Sequence, residues 1–181
     1  MAADKSLCKG AGRRAAPGFA VKHWAIMTIE LERQISIFLA THHVMSLATV
    51  GSSGPHATSL FYACDGLALI WVSEIDTQHS REIEADPRVA ATVAPDYSDF
   101  ATIRGVQIVG AARRILAADE RMRYLAELEA RYPFLEQLAA GPLKLRQAYT
   151  QTAVYRLRPA RVVLIDNTKG FGHKETLELS P

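Results

Sequence analysis

Cysteine is almost missing from this chain. Cys8 and Cys64 are the only two thiols in 181 residues, too few for a disulfide framework, so a stable core must come from apolar burial. Cys64 has no identifiable activating base in the sequence and reads as a small buried hydrophobe. Charge of one sign is also scarce: 21 Lys and Arg against 19 Asp and Glu leave a formal +2. The aromatic residues do not alternate with the basic ones, which argues against nucleic acid as a partner. No apolar run reaches the roughly 18 residues of a membrane span. With so few thiols, a cytoplasmic location is expected. The chain also lacks a G-x-S-x-G elbow, a phosphate loop, a C-x-x-C pair and an H-E-x-x-H motif. His42-His43 resembles a ligand pair, but helical neighbours point about 100° apart and no carboxylate or thiol stands at helical spacing to complete a metal site.

What is present is an ordinary globular composition, with 49% hydrophobic and 22% charged residues, and a length suited to one domain. Residues 1–26 carry five basic side chains and no sustained apolar period. They are expected to form a disordered extension, with Met27 a candidate start and residues 27–181 the folded domain. Arg13-Arg14 lacks the apolar core of an export signal behind it. Thr28 is the expected cap of a first helix whose Leu31, Ile35, Phe38 and Leu39 share one face, with His42-His43 at its end.

Val44–Val50 reads as a strand, followed by a Gly51–Pro55 turn. His56–Cys64 and Leu67–Ser73 read as a hairpin about Asp65-Gly66. Thr77 caps a short helix, Gln78–Ala85, which Asp86-Pro87 stops before the apolar strand Val89–Ala94. Ala101–Leu116 is long and β-rich, and its Gly105 and Gly110 fit a strand that curls around a small barrel. A helix capped by Asp119, with Met122, Leu125 and Leu128 on one face, precedes a short helix at Phe134–Ala139. Ala153–Leu157 and Arg161–Asp166 close the strand set. The sum is mainly β: a six-stranded antiparallel barrel with helical covers.

In their order, LFYACDGLALIWVS, TQHSREIEADPRVAATV and IRGVQIVGAARRI resemble the pyridoxamine 5′-phosphate oxidase-like FMN-binding split barrels. The closing VVLIDNTKGFGHK is similar to a bacterial subfamily of these proteins, and the resemblance covers about residues 30–175. It implies a homodimer with FMN in grooves between the subunits. Carried over position by position, the flavin-binding strand matches Thr58, Ser59, Leu60 and Phe61, and its neighbour's end matches Val72 and Ser73. The family's Ser-Arg-Lys phosphate grip matches Thr77, Gln78 and His79, so two fixed cations are replaced. Lys174 or Arg81 is then the candidate for the missing charge. The family glutamine aligns with Gly105, and Gln107 stands two residues on, facing the same way. The residues that hold the substrate phosphate in the oxidase have no match, so vitamin B6 oxidation is not implied.

Two functions follow from the resemblance. One is a flavin-dependent oxidoreductase acting on a small molecule. The other is a carrier of flavin, haem or another cofactor, or a stress-related binding protein on the same barrel.

Overall fold

A computed structural model describes residues 17–143 and 152–179. Helix α1 spans Pro17–Thr41. The strands β1 (Val44–Gly51), β2 (Gly54–Phe61), β3 (Ala63–Asp65) and β4 (Ala68–Glu74) follow, and then α2 (Gln78–Ala85). Next come β5 (Arg88–Val93), β6 (Arg104–Arg114), α3 (Ala118–Arg131), α4 (Phe134–Ala140), β7 (Thr152–Asp166) and β8 (Lys174–Glu178). The eight strands form one antiparallel sheet in the order β2-β1-β5-β6-β7-β4-β3, with β8 beside β7. The expected Ala153–Leu157 and Arg161–Asp166 are a single strand, β7, running through Pro159, and the expected six strands become eight.

The two additional strands have separate causes. The expected His56–Cys64 strand breaks at Tyr62 into β2 and β3, which lie at opposite ends of the pairing path. Consecutive segments at the two ends of one sheet force it to curl closed. The hairpin turn is accordingly one residue further on than expected. Asp65 pairs with Ala68, Gly66-Leu67 makes the bend, and Gly66 takes φ +62°, open to a residue without Cβ. The other new strand, β8, pairs with β7 at the polar KETLE segment and buries only Leu177.

Tyr62 is fully buried at the break, and each of its polar groups has a partner in a different element. Its N–H donates to His43 O (3.3 Å), its hydroxyl donates to Leu39 O (2.8 Å), and its carbonyl accepts from the Tyr132 hydroxyl (2.5 Å). Arg131 at the end of α3 donates to Ala40 O and His42 O, and His42 Nδ1 lies 2.7 Å from Phe38 O. The orphan carbonyls at the C-terminus of α1 are thus satisfied from α3, from Tyr62 and from the predicted histidine cap.

Inside the barrel, Ile35 and Leu39 of α1 pack with Met45, Leu47, Leu69, Trp71, Ile108, Leu157 and Leu164, all nearly inaccessible to solvent. A second cluster lies outside β4 and β7, where Ile70 and Val154 meet Tyr124, Leu128, Tyr132 and Leu135 of the α3–α4 cover. Three local expectations change. Helix α1 begins at Pro17, ahead of Thr28: no breaker follows Gly18, and Pro suits a first helical turn. Residues 1–16 of the expected extension lie outside the described residues. Ala117, not Asp119, is the cap of α3, with Asp119 in the first turn. The buried face of α3 is Tyr124 and Leu128, while Met122 is largely exposed.

The barrel bends at a bulge between Val109 and Gly110. A Cβ on Gly110 would stand 2.1 Å from Arg158 O, so no other residue fits without moving β7. Two stability outcomes are expected in urea titrations. Tyr62→Phe should cost about 1 kcal/mol, the worth of one hydrogen bond, and Tyr62→Ala about 3–5 kcal/mol. Gly110→Ala should cost at least the roughly 1–3 kcal/mol of an overpacked core. Full stability in Gly110→Ala would show that the bulge is not fixed by this contact.

Candidate functional site

Helix α2 exists for the reasons the sequence gives. Thr77 is extended (φ −69°, ψ 156°) and its side chain accepts from Ser80 N, while Asp86 ends the helix before Pro87. The helix packs on β1, β2 and β6 across one end of the barrel, and it lines that end with polar groups. His79, only 5% exposed, has Nε2 2.7 Å from Ser73 Oγ and 3.1 Å from Thr77 Oγ1. Glu82 accepts from Thr49 Oγ1 (2.5 Å) and Gln78 Nε2 (2.9 Å). Gly51 leaves the space for it, since a Cβ there would lie 2.5 Å from the Glu82 carboxylate. His56 Nδ1 stands 3.6 Å from the same carboxylate, and its ring lies parallel to His79, 6.4 Å between centroids.

The electrostatics of this network follow from those contacts. Hydrogen bonds from Thr49 and Gln78, then the two imidazoles, hold the Glu82 carboxyl below its usual range. Burial, then repulsion from His56, pushes His79 down, with Glu82 opposing in part. His79 is therefore held neutral, as an acceptor or donor among hydroxyls.

The opposite face of the sheet carries the second group. In β1, Met45, Leu47 and Thr49 point inward, so Ser46, Ala48 and Val50 point out. Register then aligns a polar row across four strands, Ser59–Ser46–Thr92–Gln107. Next to it runs a row of small side chains, Ala57–Ala48–Ala90, ending at Val109. The two rows, Ser59 excepted, form the floor of a groove of about 360 Å³. Beyond the alanine row, the Pro55–Val50 pair leads into the turn beneath α2. The groove therefore runs toward the turn that faces Gln78, Arg81, Glu82 and Ala85 of α2.

The expected site residues divide between these two places. Ser59, Phe61 and Gln107 lie on the grooved face, whereas Thr58 and Leu60 alternate inward with Leu47 and Met45. Ser73, Thr77 and His79 form the barrel-end network, and Gln78 is tied to Glu82. Val72 packs on the α3–α4 cluster instead. Lys174 pairs with Ile165 while Ser73 pairs with Ala153, twelve residues away on β7, about 40 Å of strand. Lys174 therefore does not join the Thr77 turn. Arg81 does, donating to Asp76 O at the start of α2. Ser46, Thr92 and the three alanines were missed. Their signal is the alternation within VMSLATV and RVAATV, which marks a free face only once register aligns the strands.

The buried His79 has a testable consequence. Its folded pKa lies below its unfolded value, so the unfolded chain binds the extra proton, and stability is lost as pH falls through and below about 6.5. Melting temperatures should fall from pH 7 to pH 5, and His79→Gln should flatten that slope. An unchanged slope in the variant would place the titration elsewhere.

Comparison with known proteins agrees with this architecture. The pyridoxamine 5′-phosphate oxidase sequence profile matches residues 31–166. The UPF0306 protein of Serratia proteamaculans is 31% identical over 149 residues, covering 81% of this chain and 94% of its own. The heme binding protein of Mycobacterium smegmatis superposes with a TM-score of 0.65 at 23% identity, covering 81% of this chain. The match spans 57% of that longer protein. HutZ, the heme storage protein of Vibrio cholerae, gives 0.57 at 16% identity over 71% of this chain and 89% of its own. A curled antiparallel sheet broken at Tyr62, with the family profile running from α1 to the end of β7, makes this chain a member of the pyridoxamine 5′-phosphate oxidase family.

Proposed function

We propose that this protein is a homodimeric FMN-binding oxidoreductase acting on a small molecule in the cytoplasm. The observation that carries the reading is the groove: a flat floor of alanines beside a row of hydroxyl and amide side chains. A planar ring with one polar edge fits that pattern, because the alanines admit close approach while Gln107, Thr92 and Ser46 present donors and acceptors. A phosphate at the far end would meet the Thr77 hydroxyl and Arg81 at the start of α2. Bound FMN would supply hydride and electron transfer at its ring. The chain's own groups would fix the ring's position, exclude water from one of its faces and hydrogen-bond its polar edge.

The dimer is supported by the same face. It spans six strands from β2 to β8, no helix of the described residues packs over its groove, and Val44, Val50, Phe61 and Val109 are exposed on it. No helix among the described residues is long and apolar enough to cross a membrane. The alternative is a carrier of haem or another cofactor, as the described functions of the Mycobacterium smegmatis and Vibrio cholerae proteins indicate for them. Haem needs an axial donor, and none of the groove's lining residues is His, Cys, Met or Tyr. The chemistry of the groove therefore favours the flavin.

Purified protein titrated with FMN should quench flavin fluorescence and show a shifted flavin absorbance. Ala90→Trp would fill the groove from a solvent-facing position, and should weaken FMN binding by about tenfold or more while leaving the melting temperature nearly unchanged. Wild-type affinity in Ala90→Trp would place the flavin elsewhere. Haem binding with no FMN binding would establish the carrier instead.

A further inference from the structure

Helix α2 has two flanks. One, through Gln78, Glu82 and Ala85, faces the Gly51–Ser53 turn. The other, through Ser80 and Glu84, borders a hollow of about 240 Å³ lined also by Ile75, Arg114 and Tyr155. Arg114 and Tyr155 are direct partners in the β6–β7 register, and directly opposed residues share one face of a sheet. A second hollow, of about 220 Å³, shares Arg114 and Glu84 with the first. Its wall is otherwise mostly apolar, with Ile83, Pro87, Ala112 and Leu116 in it. Two side chains of opposite charge therefore stand where the hollows meet.

Among the described residues, neither of these side chains has a hydrogen-bond or ion-pair partner. Glu84 is exposed, and water serves it. Arg114 is only half-buried, but its Nε–H is cut off from solvent and meets no acceptor. A guanidinium only donates, so a buried edge of one calls for an acceptor oxygen. The Nε edge of an arginine, with the adjacent Nη, matches the two oxygens of a carboxylate. Asp76 and Arg81 also line the first hollow. Arg81, however, donates to Asp76 O and is the cation given above to the FMN phosphate, so the site is built without it.

The charges select the ligand. A phosphate or a plain carboxylate on Arg114 would bring its negative charge toward Glu84 and Asp76, and like charges repel. A molecule with a positive group beside its carboxylate turns that repulsion into attraction. The apolar wall of the second hollow then suits an uncharged side chain, which would cover Leu116, 76% exposed.

We propose that this cleft binds a free apolar α-amino acid. Its carboxylate lies on the Nε edge of Arg114, its ammonium faces Glu84, and its side chain rests against Pro87 and Leu116. The site uses none of the groups assigned to the flavin and stands independently of that reading.

Calorimetry on the full-length protein, with no flavin added, tests it with L-leucine as the probe. Leucine should bind. Isocaproate, which lacks the ammonium, and isoamylamine, which lacks the carboxylate, should each bind about tenfold or more weakly. Arg114→Gln and Glu84→Gln should each weaken leucine binding by about tenfold or more, the loss of one charge-assisted bond. In proton–nitrogen spectra of the wild type, the Arg114 Nε–H resonance should shift as leucine is added. Absence of both heat and shift overturns the site, and isocaproate binding as tightly as leucine overturns the zwitterion. Glu84 is exposed, so Glu84→Gln keeps the fold even if Arg114→Gln does not. Wild-type leucine affinity in Glu84→Gln likewise overturns the proposal.

Discussion

The whole architecture depends on one residue outside any strand. Tyr62 joins β2, the first strand of the pairing path, to β3, the last, so the sheet must bring its two ends together there. A buried backbone outside the ladder would leave an N–H and a carbonyl unpaired, and such groups are costly. The chain resolves this with His43 O and the Tyr132 hydroxyl, while the Tyr62 hydroxyl takes a carbonyl of α1. Those three bonds tie the N-terminal helix, the sheet seam and the α3–α4 cover into one junction.

Closure at this junction also divides the chemistry. Once the sheet curls, alternate residues of each strand belong to different environments. Thr49, His56 and Ser73 fall inside one end of the barrel, where Glu82 and His79 come down from α2 to meet them. Ser46, Thr92 and Gln107 fall outside, in a shallow groove. The inner network ties α2 to β1 and β4 through Glu82 and His79, with only the buried His56 Nδ1 left without a hydrogen bond in it, whereas the outer row faces out of the barrel. A residue in the wrong parity, such as Thr58 or Leu60, cannot contribute to the groove however near it stands in sequence.

What could be read from the chain alone follows the same division. The capped helix at Thr77, its stop at Asp86-Pro87 and the strand after it were legible, because each depends on the chemistry of a few adjacent residues. The bulge at Gly110 was legible for the same reason, whereas Gly105 sits in regular pairing with Ile165. The break at Tyr62 was not: no Gly or Pro marks it, and only long-range pairing requires it. β8 escaped because KETLE buries a single side chain and has weak strand character. The candidate site was read residue by residue, from Thr58–Phe61, Val72–Ser73, Thr77–His79, Gln107 and Lys174, as parts of one flavin site. It is two groups on opposite faces of a sheet, and the parity that separates them appears only when strand register is known.

The cap that Arg131 places on α1 has a consequence for the order in which the protein can be made. The carbonyls of Ala40 and His42 wait for a partner about ninety residues further along the chain. The central strand β7, which pairs with β4, β6 and β8, begins only at Thr152. During synthesis the N-terminal helix and the first strand pairs must therefore persist uncapped while most of the chain is still to come. At typical elongation rates of about 5–20 residues per second, that interval lasts on the order of five to twenty-five seconds. Until then, the edges of β4 and β6 that later face β7 have no partner strand, so the nascent sheet carries open edges that only the late strand can cover.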